Sequence, residues 1–173
     1  AKKDSFSPLF DKHEKDIKDF LQKKEDLLDL ENYSITKEKA GKGSYGLATK
    51  LSVTNKHTNE TTTIIVKKYL KPKHDGDVSV QEEQEIAQKL GEHENIPQFF
   101  FRSKDLLVME AVEEARNIDS LEITRDQTSI LKLSQELVSA VDFIHSKGYF
   151  HGDLKQDNIL DCNSELKNLD ILF

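Results

Sequence analysis

Apolar side chains return at helical intervals near the start of the chain: Phe10, Ile17, Phe20, Leu21, Leu27 and Leu28 stand among Lys, Asp and Glu. A period near 3.6 puts them on one face, so the spacing predicts one amphipathic helix over residues 8–30. Such a stripe either packs on the domain that follows or serves as a docking or regulatory helix for another chain. From residue 33 to 70 the texture is β-branched and glycine-rich, and ATKLSVT and TTTIIVKKYL flank the polar turn NKHTNE, which predicts paired strands. Helical spacing returns over 80–91, with Ile86, Ala87 and Leu90 on one side and Gly91 as the stop. PQFFFRS and DLLVMEAV predict two further strands about a short turn. A long helix over 128–147 follows from Ile130, Leu133, Leu137, Ala140, Val141 and Ile144, with Gly148 ending it. Then come the loop HGDLKQDN and short apolar segments at 159–160 and 169–172, with no internal repeat.

Composition narrows the classes. At 173 residues, 36% hydrophobic and 33% charged, with mean hydropathy −0.64, the chain has enough apolar material for one globular unit, built as one body or two lobes. A single cysteine, Cys162, excludes an internal disulfide framework and points to a reducing, cytoplasmic setting. No apolar run approaches the roughly 20 residues of a membrane helix. A net charge of −7 without a basic cluster argues against nucleic-acid binding.

Three segments carry candidate chemistry. Gly41-Lys42-Gly43-Ser44-Tyr45-Gly46, followed by Ala48, lies between two predicted strands. A dinucleotide fingerprint opens a helix, whereas a glycine hairpin lets backbone N–H groups approach a triphosphate because no Cβ intervenes. Ile64-Ile65-Val66-Lys67 ends a strand in a lysine about twenty residues on, at a distance from which an ammonium reaches phosphates. That lysine needs an acidic partner. Glu83 shares a face with Ile86, Ala87 and Leu90 and is the first choice, with Glu82 or Glu85 as alternatives. In His151-Gly152-Asp153-Leu154-Lys155-Gln156-Asp157-Asn158, an acid, a cation and an amide suit proton acceptance, phosphate neutralisation and metal binding. Asp170 follows in an apolar stretch where a carboxylate needs a metal or hydrogen-bond partner.

These elements, in this order, resemble the eukaryotic-type protein kinase family over residue 33 to the end. GKGSYG with Ala48 is similar to G-x-G-x-x-G-x-V, IIVK to V-A-I-K and HGDLKQDNIL to H-R-D-L-K-x-x-N. The resemblance implies an α+β, bilobal fold: an antiparallel sheet with one helix over 35–110 and a reduced helical lobe over 111–173, which leaves residues 1–34, with the amphipathic helix that the spacing predicts, as a separate leading segment. ATP is then expected in the cleft between the lobes. It implies that Gly41, Lys42, Gly43, Ser44, Tyr45 and Gly46 cover the phosphates, that Lys67 holds them and that Glu83 pairs with Lys67. Asp153 would accept the substrate proton, Lys155 would neutralise the γ-phosphate, and Asn158 and Asp170 would bind Mg2+. Ala48 and Leu160 would sandwich the adenine, Met109 would be the gatekeeper, and Glu110 and Val112 would offer backbone groups to the purine edge. Lys155 in D-L-K-x-x-N resembles the Ser/Thr-specific branch.

Four departures bear on function. Gly152 replaces the arginine that receives an activation-loop phosphate in many kinases, and HGD also occurs in kinase-like small-molecule phosphotransferases. Asp170-Ile171-Leu172 stands where D-F-G is expected. Ile65 replaces a small alanine above the adenine. Beyond Asp170 only three residues follow, so the chain resembles either a fragment or compact kinases such as secreted bacterial effector kinases acting in host cytosol. The leading expectation is an ATP-dependent Ser/Thr protein kinase acting on a protein substrate. The alternatives are a pseudokinase-like or truncated nucleotide-binding module and a small-molecule phosphotransferase. A partner or second copy is expected to meet the leading helix or an uncovered second-lobe surface.

Overall fold

The computed structural model describes residues 5–42, 46–69, 80–103, 106–111, 116–117, 127–162 and 165–168. The chain divides into two compact units, Ala1–Asp77 with Phe99–Ala111, and Val78–Gln98 with Val112–Phe173.

The first unit opens with helix α1, Ser7–Gln22. Pro8 sits in the first turn, where its missing N–H costs nothing. The helix packs Leu9, Phe10, Ile17, Phe20 and Leu21 inward, all buried. Six antiparallel strands follow in spatial order β1-β2-β3-β4-β6-β5: β1 Leu27–Asp29, β2 Tyr33–Lys42, β3 Gly46–Asn55, β4 Thr61–Tyr69, β5 Phe99–Arg102 and β6 Leu106–Glu110. Side chains alternate across a strand, so Ile35, Leu51, Val53, Ile64, Val66, Leu106 and Val108 share one face, and together with the α1 stripe they form the core. Fully burying a side chain such as Ile17 or Phe20 stabilises by roughly 1.5–3 kcal/mol. The α1 stripe therefore belongs to the interior of its own unit.

The expected helix over 8–30 is too long. It ends at Gln22, and Lys23 turns extended, at φ −78° and ψ 162°. Leu27 and Leu28, which continue the helical spacing, instead pair with Thr36 and Ile35 of β2. Leu28 packs against the core while Leu27 stays exposed, which is the alternation of a strand. Three residues are too few for periodicity to separate the two forms, and the unpaired edge of β2 decides it.

The second unit contains α2, Val80–Leu90, and α3, Gln127–Ser146. Gly91 and Gly148 follow these helices at φ +79° and +83°, the left-handed region that a side chain disfavours. β7, Arg116–Asn117, precedes α3; after α3 come a 3-10 turn, Gln156–Asn158, and the strands β8 Ile159–Cys162 and β9 Glu165–Asn168, and the three strands form an antiparallel sheet in the order β7-β8-β9. His93 bonds Ser139 Oγ of α3 through Nε2 at 3.2 Å and stacks on Phe143 with centroids 4.9 Å apart, fixing the segment after α2 on α3. Ala140, Ile144, Ile159 and Leu160 are buried, while Ile130, Leu131 and Val138 of α3 are exposed. No helix among the described residues is long and apolar enough to cross a membrane.

Candidate active site

One group of candidate residues is assembled by strand register. Residues directly opposite in an antiparallel pair share a face. Ala48 is opposite both Gly41 and Lys67, Ile65 is opposite Met109, and Lys67 is opposite Leu107. Gly41, Ala48, Ile65, Lys67 and Met109, more than sixty residues apart along the chain, therefore occupy one sheet face, the reverse of the face packed against α1. Met109 is buried, and Ala48, Ile65 and Lys67 are half-buried. β-Branched runs give straight, well-paired strands here, so the register is held by the ladder and by the core behind it. Glu110 ends β6 opposite Ile64 and alternates to the core-side face, leaving its backbone at the strand end.

The second group is a loop that its own side chains hold together. Asn158 Nδ2 donates to the backbone oxygen of Asp153 at 2.7 Å and to Asp153 Oδ2 at 3.2 Å. Lys155 Nζ lies 3.1 Å from the same Oδ2. The Asp153 N–H donates to His151 Nδ1 at 3.3 Å, and His151 and Asn158 are both only 4% exposed. Gly152, between the histidine and the aspartate, has φ +78°, so glycine is the residue that makes this turn without strain. The arginine that the family pattern puts here would have to adopt that left-handed geometry.

The Asp153 carboxyl is held below the usual carboxylate range, first by its hydrogen bond from Lys155 and also by the one from Asn158, against an opposing effect of partial desolvation. Its side chain remains 40% exposed. The result is an ionised, oriented and accessible acceptor. Both side-chain hydrogen bonds of Asn158 use Nδ2, and Oδ1 is a hard oxygen of the kind that could hold a cation such as Mg2+. Leu160 is buried in β8, opposite Asn117 and Lys167.

Several expected site residues fall outside the description. Gly43, Ser44, Tyr45, Val112 and Asp170 are outside the described residues, and Glu82 and Glu83 lie on α2 with side chains that are not described. Glu85, the other alternative partner for Lys67, is exposed. His151, quoted in the loop motif but given no role there, is buried and supports the loop by accepting the Asp153 N–H. Its signal is a histidine two residues before the acid, a spacing at which the imidazole can accept the Asp153 N–H.

Comparison with known proteins bears on the family. The model of the protein kinase domain matches residues 34–171. Among curated relatives, the chain is 28% identical over 166 residues to calcium-dependent protein kinase 5 of Plasmodium berghei, covering 92% of this chain and 28% of the relative. It is 38% identical over 85 residues to CBL-interacting protein kinase 2 of Oryza sativa subsp. japonica, 46% of this chain and 19% of the relative. It is 31% identical over 138 residues to serine/threonine-protein kinase TIO of Arabidopsis thaliana, 76% of this chain and 10% of the relative. The matched region thus spans about a quarter or less of each relative. With a family match across most of its length, an antiparallel sheet that gathers Gly41, Ala48 and Lys67 on one face, and a loop that orients Asp153, this chain belongs to the protein kinase domain family.

Proposed function

We propose that this chain carries out ATP-dependent phosphoryl transfer to Ser or Thr hydroxyls of a protein substrate, with Asp153 as proton acceptor. The observation that carries the reading is the Asp153 carboxylate: ionised, half-exposed and oriented by Lys155 and Asn158. A carboxylate in that state accepts the hydroxyl proton as the oxygen becomes a nucleophile. Lys155, on the same oxygen, is positioned to neutralise charge beside it. On the sheet face, Lys67 presents a cation opposite Ala48, beside Gly41 of the glycine motif. ATP with a divalent metal supplies the transferable phosphoryl group and spreads the charge of its oxygens. Asn158 Oδ1 and Asp170 are the oxygen donors proposed for that metal, and Glu83 is proposed as the acidic partner of Lys67.

The Ser/Thr preference rests on Lys155 at its place in the loop and on the similarity to the Arabidopsis serine/threonine-protein kinase. None of the relatives named above is bacterial, so the reading preferred here does not depend on a secreted effector.

The test is transfer of radiolabelled phosphate from ATP with Mg2+ to a generic protein substrate, beside Lys67→Ala and Asp153→Ala. Label on serine or threonine that both substitutions abolish is the expected result. Wild-type activity in either variant would overturn the assignment. Nucleotide-induced thermal stabilisation without product would identify a nucleotide-holding module instead.

A further inference from the structure

β2 serves two faces at once. Glu38 and Gly41 lie on the side of Ala48 and Lys67, whereas Ile35 and Lys37 lie on the core side, as the pairings Glu38↔Lys50 and Lys37↔Leu51 require. A lysine on a core face has to satisfy its charge locally. The Lys37 ammonium donates to the carbonyl oxygen of Phe20 at 2.6 Å and to that of Lys23, and stands 4.4 Å from the centroid of the Phe20 ring. Those carbonyls lie at the C-terminal end of α1, where C=O groups carry partial negative charge, and the Phe20 oxygen also accepts the Lys23 N–H at 3.2 Å. A cation there makes charge-assisted hydrogen bonds and a contact with the aromatic face together. The Lys37 N–H also donates to Asp26 O at 3.2 Å. Side chain and backbone of one residue thus tie β2 to the end of α1 and the turn after it.

The tie has a position along the strand. Between Lys39 and Gly41 the register of β2 against β3 shifts, and beyond it the pairs Gly41↔Ala48 and Lys42↔Leu47 form the arms of the glycine hairpin. A shift of this kind interrupts the ladder and re-aims the strand. The β3 arm is held by its ladder to β4, through Gly46↔Tyr69, Leu47↔Lys68 and Ala48↔Lys67, whereas the β2 arm follows the interruption and has the Lys37 anchorage two residues before it.

We propose that Lys37 is a positioning residue for the β2 arm of the glycine hairpin: its ammonium, docked on the α1 carbonyls, fixes where Gly41 and Lys42 stand for binding of a nucleotide polyphosphate. The proposal rests on the phosphoryl-transfer reading and gives α1 a part in it without any contact to nucleotide. A displacement at the root is carried along the β2 arm at Gly41 and Lys42, while groups that meet the base are untouched.

The test is calorimetric titration of the full chain with ATP and with adenosine, which lacks phosphates, for wild type, Lys37→Met, Lys37→Arg and Ile17→Val. Ile17, fully buried in the same core, controls for lost packing alone. The expected result is roughly tenfold weaker ATP binding by Lys37→Met, about 1.4 kcal/mol. Adenosine binding should be unchanged, Lys37→Arg near wild type because charge and donors are kept, and Ile17→Val unaffected for both ligands. If Lys37→Met does not fold, Lys37→Gln keeps a donor without the charge and is expected to shift the same way. Unchanged ATP affinity in the lysine variants, equal losses for ATP and adenosine, or an equal loss in Ile17→Val would overturn the proposal alone. A wild-type chain that binds neither ligand would overturn the functional reading and this proposal with it.

Discussion

The two groups of site residues are held by different means. Ala48, Ile65, Lys67 and Met109 are placed by backbone register, with the packing that enforces it on the other face of the sheet. Asp153, Lys155 and Asn158 are placed by one another, through bonds between the side chains that would do the chemistry. The difference separates function from folding in the first group and joins them in the second. A substitution on the sheet face removes a chemical group and leaves the ladder, whereas a substitution in the loop removes a group and part of the scaffold.

Comparing Lys67→Met with Asn158→Ala tests that contrast most strongly. Lys67→Met is expected to lower transfer about 10³-fold, about 4 kcal/mol in the barrier, with stability within roughly 0.5 kcal/mol of wild type. Asn158→Ala is expected to lower transfer by about 10²-fold or more and also cost about 1–2 kcal/mol in denaturant unfolding, because two hydrogen bonds and a buried amide are lost. A Lys67→Met variant that unfolds as readily would end the distinction. Phe20→Ala attacks the support of the sheet face from behind. Chemical denaturation should show a loss of about 3–5 kcal/mol, the range for truncating a buried aromatic.

Lys155→Met sharpens the loop side through pH. Lys155 is the main cause of the lowered Asp153 pKa, so removing it raises that pKa. Activity that needs the ionised carboxylate should then fail at less acid pH, and the acid limb of the rate profile should move toward neutrality. The same sign governs stability: with a depressed folded pKa, the contribution of ionised Asp153 is present above the unfolded value and fades as pH falls through the folded one. An unmoved acid limb would detach Asp153 from the pH dependence. Smallest of all, Gly152→Ala puts a Cβ on a backbone at φ +78° and should cost about 1 kcal/mol by thermal or denaturant unfolding.

Much of this was legible in residue order. Alternation and β-branching around NKHTNE marked β3 and β4, and helical spacing with a closing glycine marked α2 and α3, because these runs are long enough for one period to dominate. The loop was legible because its residue types are chemically specific at short separations. Leu27 and Leu28 misled because two residues fit either period. Lys37 gave no signal, since one lysine in a strand is ordinarily a solvated one.

The sequence by itself determined that β3 and β4 are strands and α2 and α3 helices, and which residue types stand near one another in the loop 151–158, since both follow from local spacing along a covalent chain. Only the tertiary structure decided that α1 stops at Gln22 and spends its apolar stripe on the sheet, and that Lys37 turns inward to its terminal carbonyls. It also decided that Ala48 lies opposite Lys67, and Ile65 opposite Met109. Each of these depends on pairing between distant segments, whose register is set by burying one face of a sheet, and burial is a property of the whole fold.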